Sequence, residues 1–298
     1  MQIRARKLTR IKLVFLSALI CAAQMAQAEP SLRLTSNVIW SQSEPWFGGF
    51  SGAEVSANGQ AITLVTDKGS LVTATMIREN SKLSAIQLRS QAPLTHANGA
   101  LLRNKRTDAE GLAIDAQGRA FVSFEHRHRV VQIDLKSART LGGIPNPDFA
   151  SLQPNAGLEA LAVDANGTLF TLPELTGNAD TPFPVFTLTN NEWKIAHHIP
   201  RSGPFLPVGA DFGDDGLFYL LERAITPLGF RSRIRRFNLT APDLGEETLI
   251  TTGPGRFDNL EALSIWRNKA GQTYLTLISD DNFMAIQRTQ IVEFILTE

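Results

Sequence analysis

Acidic residues recur along the chain at a regular spacing, and each is followed by an apolar run and a second acid. The leading acids are Glu54, Glu110, Glu159, Asp211 and Glu261, separated by 56, 49, 52 and 50 residues. The second acids are Asp67, Glu125, Glu174, Glu222 and Asp280. Clustered carboxylates bind hard cations such as calcium, and a carboxylate whose pKa is raised serves as a general base. The spacing thus predicts either an ion-binding or hydrolytic site, or a purely structural ring of ion pairs.

The residues between the paired acids read as a β-hairpin. In "GLEALAVDANGTLFTLPE", which starts at Gly157, two alternating apolar runs flank Asn166-Gly167. Asn-Gly and Asp-Gly pairs accept the positive φ that a tight hairpin turn requires. Because the chain reverses at this turn, both acids of a pair are expected at the same face of the molecule.

This repeat predicts an all-β protein folded as a single β-propeller of five four-stranded blades. A period of about fifty residues matches the blade length of some propellers. The fifth unit ends after three strands, and the strand predicted at Ser31–Trp40 is expected to complete it and close the ring. Six blades remain possible if residues 77–107 contain a degenerate unit, and a pair of β-sandwiches is the competing architecture.

The predicted mouth of the central channel supplies the candidate site residues. The candidate calcium ligands are Glu54, Glu110, Glu159, Asp211, Glu261 and Asp280. Glu125 and His126 are the candidate catalytic residues, and His126 is expected to share a strand face with His128. The candidate substrate-binding residues are Lys68, Arg127, Arg129 and Arg223. The chain contains no G-x-S-x-G, H-E-x-x-H or phosphate-loop motif, which disfavours serine hydrolase chemistry.

The N-terminal residues 1–28 have the pattern of a cleaved signal peptide. A basic segment is followed by "LVFLSALICAA", which is too short to span a bilayer, and by the small residues of "AQA". The mature domain is expected at residues 29–298, beginning at Glu29, in the periplasm or outside the cell. It lacks cysteine, so disulfides do not stabilise it, and its formal net charge of zero gives no reason to expect nucleic acid or a membrane surface as a partner. A monomer that binds a small-molecule substrate or ligand is expected.

The blade-start phrases "FSGAE", "DAEGLAID", "LEALAVD" and "NLEALSI", with the strand ends "TDKG" and "ISDDN", resemble the phytase-like family described as having esterase-like activity of phytase. The resemblance covers about Trp46 to Phe294. It implies an exported bacterial β-propeller and a calcium-dependent hydrolase of phosphate or carboxylate esters. A wider resemblance links the chain to calcium-dependent lactonases of the gluconolactonase type, but those metal sites use Asn where this chain has mostly Glu.

Three functions therefore remain open. The first is a calcium-assisted hydrolase of phosphate or carboxylate esters, with a lactonase as a variant. The second is a non-catalytic propeller that binds a ligand or a partner at its acidic mouth. In the third, the acids only hold the blades together.

Overall fold

The computed structural model describes residues 29–142, 144–145, 149, 152 and 157–298. The predicted signal peptide lies outside these residues. Within them the chain is all-β, apart from a short 3-10 turn at Asn104–Arg106. No helix in this part of the chain is long and apolar enough to cross a membrane.

The described strands are, in chain order, β1 (Ser31–Ile39), β2 (Phe50–Val55), β3 (Ala61–Thr66), β4 (Ser70–Glu79), β5 (Lys82–Pro93), β6 (Ala109–Ile114), β7 (Ala120–Phe124), β8 (Arg129–Asp134), β9 (Arg139–Leu141), β10 (Leu158–Val163), β11 (Leu169–Pro173), β12 (Phe183–Thr189), β13 (Glu192–Ile199), β14 (Leu206–Phe212), β15 (Phe218–Thr226), β16 (Gly229–Phe237), β17 (Glu247–Thr251), β18 (Asn259–Arg267), β19 (Thr273–Asp280) and β20 (Gln290–Thr297). They form five antiparallel four-stranded sheets, which are the blades of a β-propeller. The predicted fold class and the literal count of five blades are confirmed. The segment that could have hidden a sixth blade forms β4, β5 and the loop after them.

Four blades follow the chain order directly: blade 1 is β2–β5, blade 2 is β6–β9, blade 3 is β10–β13 and blade 4 is β14–β17. Blade 5 has the strand order β1-β20-β19-β18, so the N-terminal strand completes the C-terminal blade as predicted. The first strands β2, β6, β10, β14 and β18 contact one another in a closed ring and line the channel.

Sequence-encoded turns join the first two strands of each blade. Gly59, Gly118, Gly167, Gly216 and Gly271 all have φ between 68° and 83°, the left-handed region in which glycine avoids a steric penalty. In blade 3, the Asp164 carboxylate accepts the backbone N–H of Asn166 at 2.9 Å, which fixes the turn. The predicted hairpins are thus explained by local chemistry.

The hydrophobic core lies between neighbouring blades. Five buried clusters each combine side chains of two adjacent blades, so every blade is covered on both faces. The first strands also approach closely, since a Cβ at Gly209 would lie 2.5 Å from the carbonyl oxygen of Glu261 in the next blade. Glycine at this position therefore permits the ring to close tightly around its axis.

A β-bulge interrupts the first strand of every blade near its start. The register shifts at Ser51 in blade 1, at Glu110 and Gly111 in blade 2, at Glu159 in blade 3, at Val208 in blade 4 and at Glu261 in blade 5. A bulge leaves its extra residue outside the ladder and redirects the side chain. The residue at the bulge of each blade therefore determines which side chain lies at the end of the channel where the first strands begin.

Candidate functional site

Three of the five leading acids occupy these bulges and gather at one mouth of the channel. They are Glu110, Glu159 and Glu261. Burial, and then repulsion from neighbouring carboxylates that include Glu159 and Glu261, raises the pKa of Glu110. The bulge positions of blades 1 and 4 carry Ser51 and Val208 instead. The mouth thus receives three leading acids.

The predicted ring of five leading acids at one face is wrong for Glu54 and Asp211. Both lie at the end of their strand that is nearer the hairpin turn, three residues beyond the bulge. A Glu54 carboxylate oxygen accepts the N–H of Ile114 at 3.1 Å, and an Asp211 oxygen accepts the N–H of Ile265 at 2.6 Å. Both side chains line a cavity at that opposite end of the channel. They do not join the other candidate calcium ligands.

The second acids also divide into two groups. Asp67, Glu125, Glu174 and Asp280 stand at the end of the second strand of their blades, beside the mouth. Glu222 instead is fully buried inside blade 4, where Arg233 and Arg235 bind its carboxylate at 2.7 and 2.6 Å. The bulge in β14 falls at Val208, and Pro207 just before it pairs with Glu222. The residue that corresponds to the second acids of the other blades is therefore the next one, Arg223.

We call the resulting set the acidic mouth. It comprises Asp67, Asp108, Glu110, Glu125, Glu159, Glu174, Glu261 and Asp280. Asp108 stands two residues before Glu110 at the start of "DAEGL", and it is not among the site residues predicted from the sequence. Its position two residues before a leading acid is the feature of the sequence that could have identified Asp108.

The tightest carboxylate group in the mouth is Glu110, Glu125 and Glu159. Each offers an oxygen, and these three oxygens lie within 4.8 Å of one another. Burial, and then the repulsion between Glu110 and Glu159, raises the pKa of Glu110 well above its ordinary value. Burial, and then repulsion from Glu174, does the same to the pKa of Glu159. So close a set of desolvated oxygens is the arrangement that a divalent cation or a shared proton stabilises.

Glu125 also belongs to a second group, with Asp108 and His126. Burial raises the pKa of Glu125, although the N–H of Gly157 donates to its Oε1 at 3.3 Å and opposes that rise. The His126 ring lies with Nδ1 at 3.5 Å from Glu125 Oε2 and Nε2 at 3.6 Å from Asp108 Oδ2. The two candidate catalytic residues are therefore neighbours, as their sequence positions suggest.

His126 owes this position to a turn rather than to a strand. Its φ of 53° is left-handed, which is uncommon for a residue with a side chain, and β8 begins only at Arg129. The expectation that His126 and His128 share a strand face is therefore wrong. Non-glycine residues with a left-handed backbone are enriched at functional sites, so this conformation is consistent with a catalytic role for His126.

On the other side of the mouth, Asp67 and Asp280 have a pKa raised to about 7. Burial is the largest cause for both, followed by repulsion from Asp280 for Asp67 and from Glu261 for Asp280. The Oδ1 atom of Asp67 is buried and has no hydrogen-bond partner among the described residues. A buried acceptor of this kind is a further donor atom that an ion could use.

Arg223 bridges this half of the mouth. Its guanidinium donates to Glu174 Oε1 at 2.7 Å, to Asn259 Oδ1 at 2.9 Å and, in a short contact, to Glu261 Oε1. These carboxylates raise the pKa of Arg223 despite its burial. Arg223 thus neutralises part of the acidic mouth from within, in addition to being a candidate substrate-binding residue.

The other candidate substrate-binding residues differ in availability. The Lys68 ammonium lies 2.7 Å from the ring centroid of Phe283 at the mouth, and Arg127 is exposed. Arg129 donates to the carbonyl oxygens of Arg127 and Arg106 and covers the Phe124 ring at 3.8 Å. Burial and the neighbouring arginines lower the pKa of Arg129 to about 10. Lys68 and Arg127 are therefore freer than Arg129 to contact a substrate.

Comparisons with known proteins agree with this architecture. A family model described as "Phytase-like: Esterase-like activity of phytase" matches residues 45–283. A comparison with curated proteins gave no match.

Two solved propeller structures are similar in fold. An α-L-arabinofuranosidase from Podospora anserina, in complex with cellotriose, has a TM-score of 0.53 at 11% identity over 90% of this chain and 97% of its own. The PQQ-bound aldose sugar dehydrogenase from Streptomyces coelicolor has a TM-score of 0.49 at 11% identity over 91% of this chain and 99% of its own. At such identity the first likeness shows the fold alone, and the second carries no argument.

Proposed function

The chain belongs to the phytase-like family, and we propose that it is an exported, calcium-assisted hydrolase of phosphate or carboxylate esters acting at the acidic mouth. The observation that carries the proposal is the convergence of Glu110, Glu125 and Glu159, with one oxygen of each within 4.8 Å of the others. A site made only of carboxylate oxygens fits a hard divalent cation.

The chemistry of the residues present fits calcium, which prefers oxygen ligands. Glu110 and Glu159 would hold it beside Glu125, because each has a desolvated carboxylate whose charge the protein leaves only partly balanced. Bound calcium polarises an ester oxygen and makes a bound water more acidic. The unpartnered Oδ1 of Asp67 supports the need for a cation in the same mouth.

The chain's own residues supply proton transfer and orientation. Glu125, with an oxygen within 4.8 Å of those of Glu110 and Glu159, would accept the proton of the attacking water. His126, at 3.5 Å, receives or shares that proton, and Asp108 on the other side of the ring orients it.

Electrostatics restricts the substrate. Among the described residues, the basic side chains that act on the carboxylates of the acidic mouth are Arg223, which already binds two of them, Lys68 and His126. A highly phosphorylated ester would be repelled, whereas a neutral carboxylate ester or a phosphate ester of low charge would not. Lys68 and Arg127 are the cations left to orient such a substrate.

A panel of phosphate monoesters and diesters, short-chain carboxylate esters and lactones tests the proposal, with calcium and with chelator. We expect calcium-dependent hydrolysis of at least one class and a loss of about 100-fold or more in kcat for Glu125→Gln. Glu192→Gln, which changes an exposed surface pair with Lys194, is the matched control and should retain full activity. Calcium should also raise the melting temperature of the wild type but not of Glu110→Gln.

The outcomes separate the alternatives. If calcium raises the melting temperature but no ester is hydrolysed, the protein is a cation-dependent binding propeller, and the hydrolase proposal fails. If calcium and chelator leave the melting temperature unchanged, the acids act only as structural groups. Hydrolysis of lactones alone would identify the lactonase variant.

A further inference from the structure

The end of the channel opposite the acidic mouth contains a separate cavity of about 990 Å³. In every blade, an apolar residue at or near the end of the first strand, where the chain enters the hairpin turn, lines the wall of this cavity. These residues are Val55, Ile114, Val163, Phe212 and Ile265. A cavity of this size with a largely apolar wall has the dimensions of a small-molecule site.

Five acidic residues line this cavity, and three of them, Asp115, Asp164 and Asp214, lie in the segments that form the hairpin turns. The other two, Glu54 and Asp211, stand in the first strands that surround the channel. Glu54 accepts the N–H of Ile114 at 3.1 Å and the hydroxyl of Ser264 at 3.2 Å. Asp211 is only 7% exposed and accepts the backbone N–H groups of Phe212 and Ile265 at 2.7 and 2.6 Å. These neutral donors hold the carboxylates in place and leave their charge unbalanced.

Neither carboxylate forms an ion pair with a basic side chain among the residues that the structure describes. Of the basic residues that line the cavity, Arg267 donates its Nε–H to the carbonyl oxygen of Gly271, and His197 forms no ion pair with either carboxylate. The nearby Arg119 pairs with Asp115 at 2.5 Å. Placing two carboxylates in a desolvated site without a cation is strongly unfavourable. A bound proton relieves this penalty as long as no ligand is bound, and a ligand that carries a positive charge would relieve it with both carboxylates ionised.

The aromatic side chains indicate what the rest of such a ligand is. Phe170 and Phe212 pack with their centroids 4.9 Å apart, and both line the cavity. Aromatic faces attract organic cations and pack against apolar groups, whereas a hydrated metal ion would gain little from them. Anions are excluded because both carboxylates repel them.

We propose that this cavity binds a small organic amine, with its ammonium group held by Glu54 and Asp211 and its apolar or aromatic body packed against the wall that contains Phe170 and Phe212. The site lies at the other end of the channel from the acidic mouth and shares no residue with it. The proposal is therefore independent of the hydrolase activity.

Isothermal titration calorimetry of the full mature protein tests the site with two probes of the same skeleton, phenethylamine and uncharged phenethyl alcohol. We expect phenethylamine to bind and the alcohol to bind at least about tenfold more weakly, since a charge-assisted hydrogen bond is lost. Asp211→Asn and Glu54→Gln should each weaken amine binding by about tenfold or more. Glu192→Gln, which changes an exposed surface pair outside the cavity, and Glu110→Gln at the acidic mouth should leave it unchanged.

Melting curves of the wild type provide a second measurement that needs no variant to fold. Millimolar phenethylamine should raise the melting temperature, and phenethyl alcohol should not. Equal binding of both probes, no binding of the amine at millimolar concentration, or amine binding that survives both Asp211→Asn and Glu54→Gln would overturn the proposal.

Discussion

Arg223 sets the charge balance of the acidic mouth at the level of single residues. It stands where the other four blades place an acid, and it binds both Glu174 and Glu261. If an acid replaced Arg223, the described residues of the mouth would include no basic side chain as buried as this arginine. One arginine therefore leaves the Glu110, Glu125 and Glu159 side of the mouth as the part with excess negative charge.

The raised pKa values of three aspartates predict how the stability depends on pH. Asp67, Asp211 and Asp280 each have a pKa of about 7 in the folded protein, against an ordinary value of 3.8. The folded state thus binds their protons more tightly than the unfolded state does. Stability from these groups is complete at low pH, and we expect the free energy of unfolding to fall by several kcal/mol from about pH 4 to about pH 7.

Urea denaturation in the presence of chelator measures this slope. Asp280→Asn should reduce the decrease and make the protein more stable at neutral pH than the wild type. Asp134→Asn is the control, because Asp134 is a surface residue whose pKa is lowered by hydrogen bonds from Ser137. A wild-type stability that rises over this pH range would contradict the prediction.

At the scale of strands and hairpins, local patterns predicted the fold well. The turn dipeptides and the alternating apolar runs identified every inner hairpin, because turn chemistry and pleating act over a few residues. The orphan strand near the N-terminus was also correctly assigned to the last blade. These features follow from local sequence and from the need to leave no open sheet edge.

The same patterns could not locate the bulges, and this explains the errors at the site. A bulge adds one residue at a position that depends on pairing with the neighbouring strand, and these first strands are too short for the resulting break in the apolar alternation to be recognised. A usable signal was nevertheless present: Glu54 and Asp211 precede their turn glycines by five residues, whereas Glu110 and Glu159 precede theirs by eight. Aligning the repeats on the turn glycine instead of the acid places Glu54 and Asp211 at the far end of the strand.

The ion pair between Arg78 in β4 and Glu293 in β20 joins blade 1 to blade 5. Two hydrogen bonds of 2.6 and 2.7 Å connect them, and the Glu293 side chain is fully buried. We expect Arg78→Met to lower the free energy of unfolding by about 3 kcal/mol or more, because it leaves a buried carboxylate without its cation. Urea denaturation at neutral pH measures the effect.

A second variant separates the charge effect from lost packing. Changing Glu293→Gln together with Arg78→Met removes the buried charge and should recover much of the lost stability. Lys194→Met, which breaks the exposed pair with Glu192, is the control and should change stability little. Equal destabilisation in the single and double variants would show that packing, and not the ion pair, holds the two blades.

At the scale of the whole molecule, β1 closes the ring. It pairs with β20 along its length, from Ser31 opposite Thr297 to Ile39 opposite Gln290. The Ser36 hydroxyl also accepts the N–H of Leu83 in blade 1 at 2.9 Å, so the strand contacts both sides of the closure. Both channel ends depend on this closure, because the candidate sites draw residues from several blades.

Removing residues 29–40 should therefore open the propeller rather than merely shorten it. The freed edge of β20 would expose unpaired backbone groups, which promote self-association. We expect a melting temperature lower by about 10 °C and dimers or larger species in light scattering, because several kcal/mol of pairing are lost. Adding a peptide of residues 29–40 should restore the melting temperature, whereas the same peptide with Leu34→Pro and Val38→Pro should not, because proline cannot donate to the ladder. If the shortened protein stayed monomeric with an unchanged melting temperature, the inter-blade clusters alone would be sufficient to hold the ring closed.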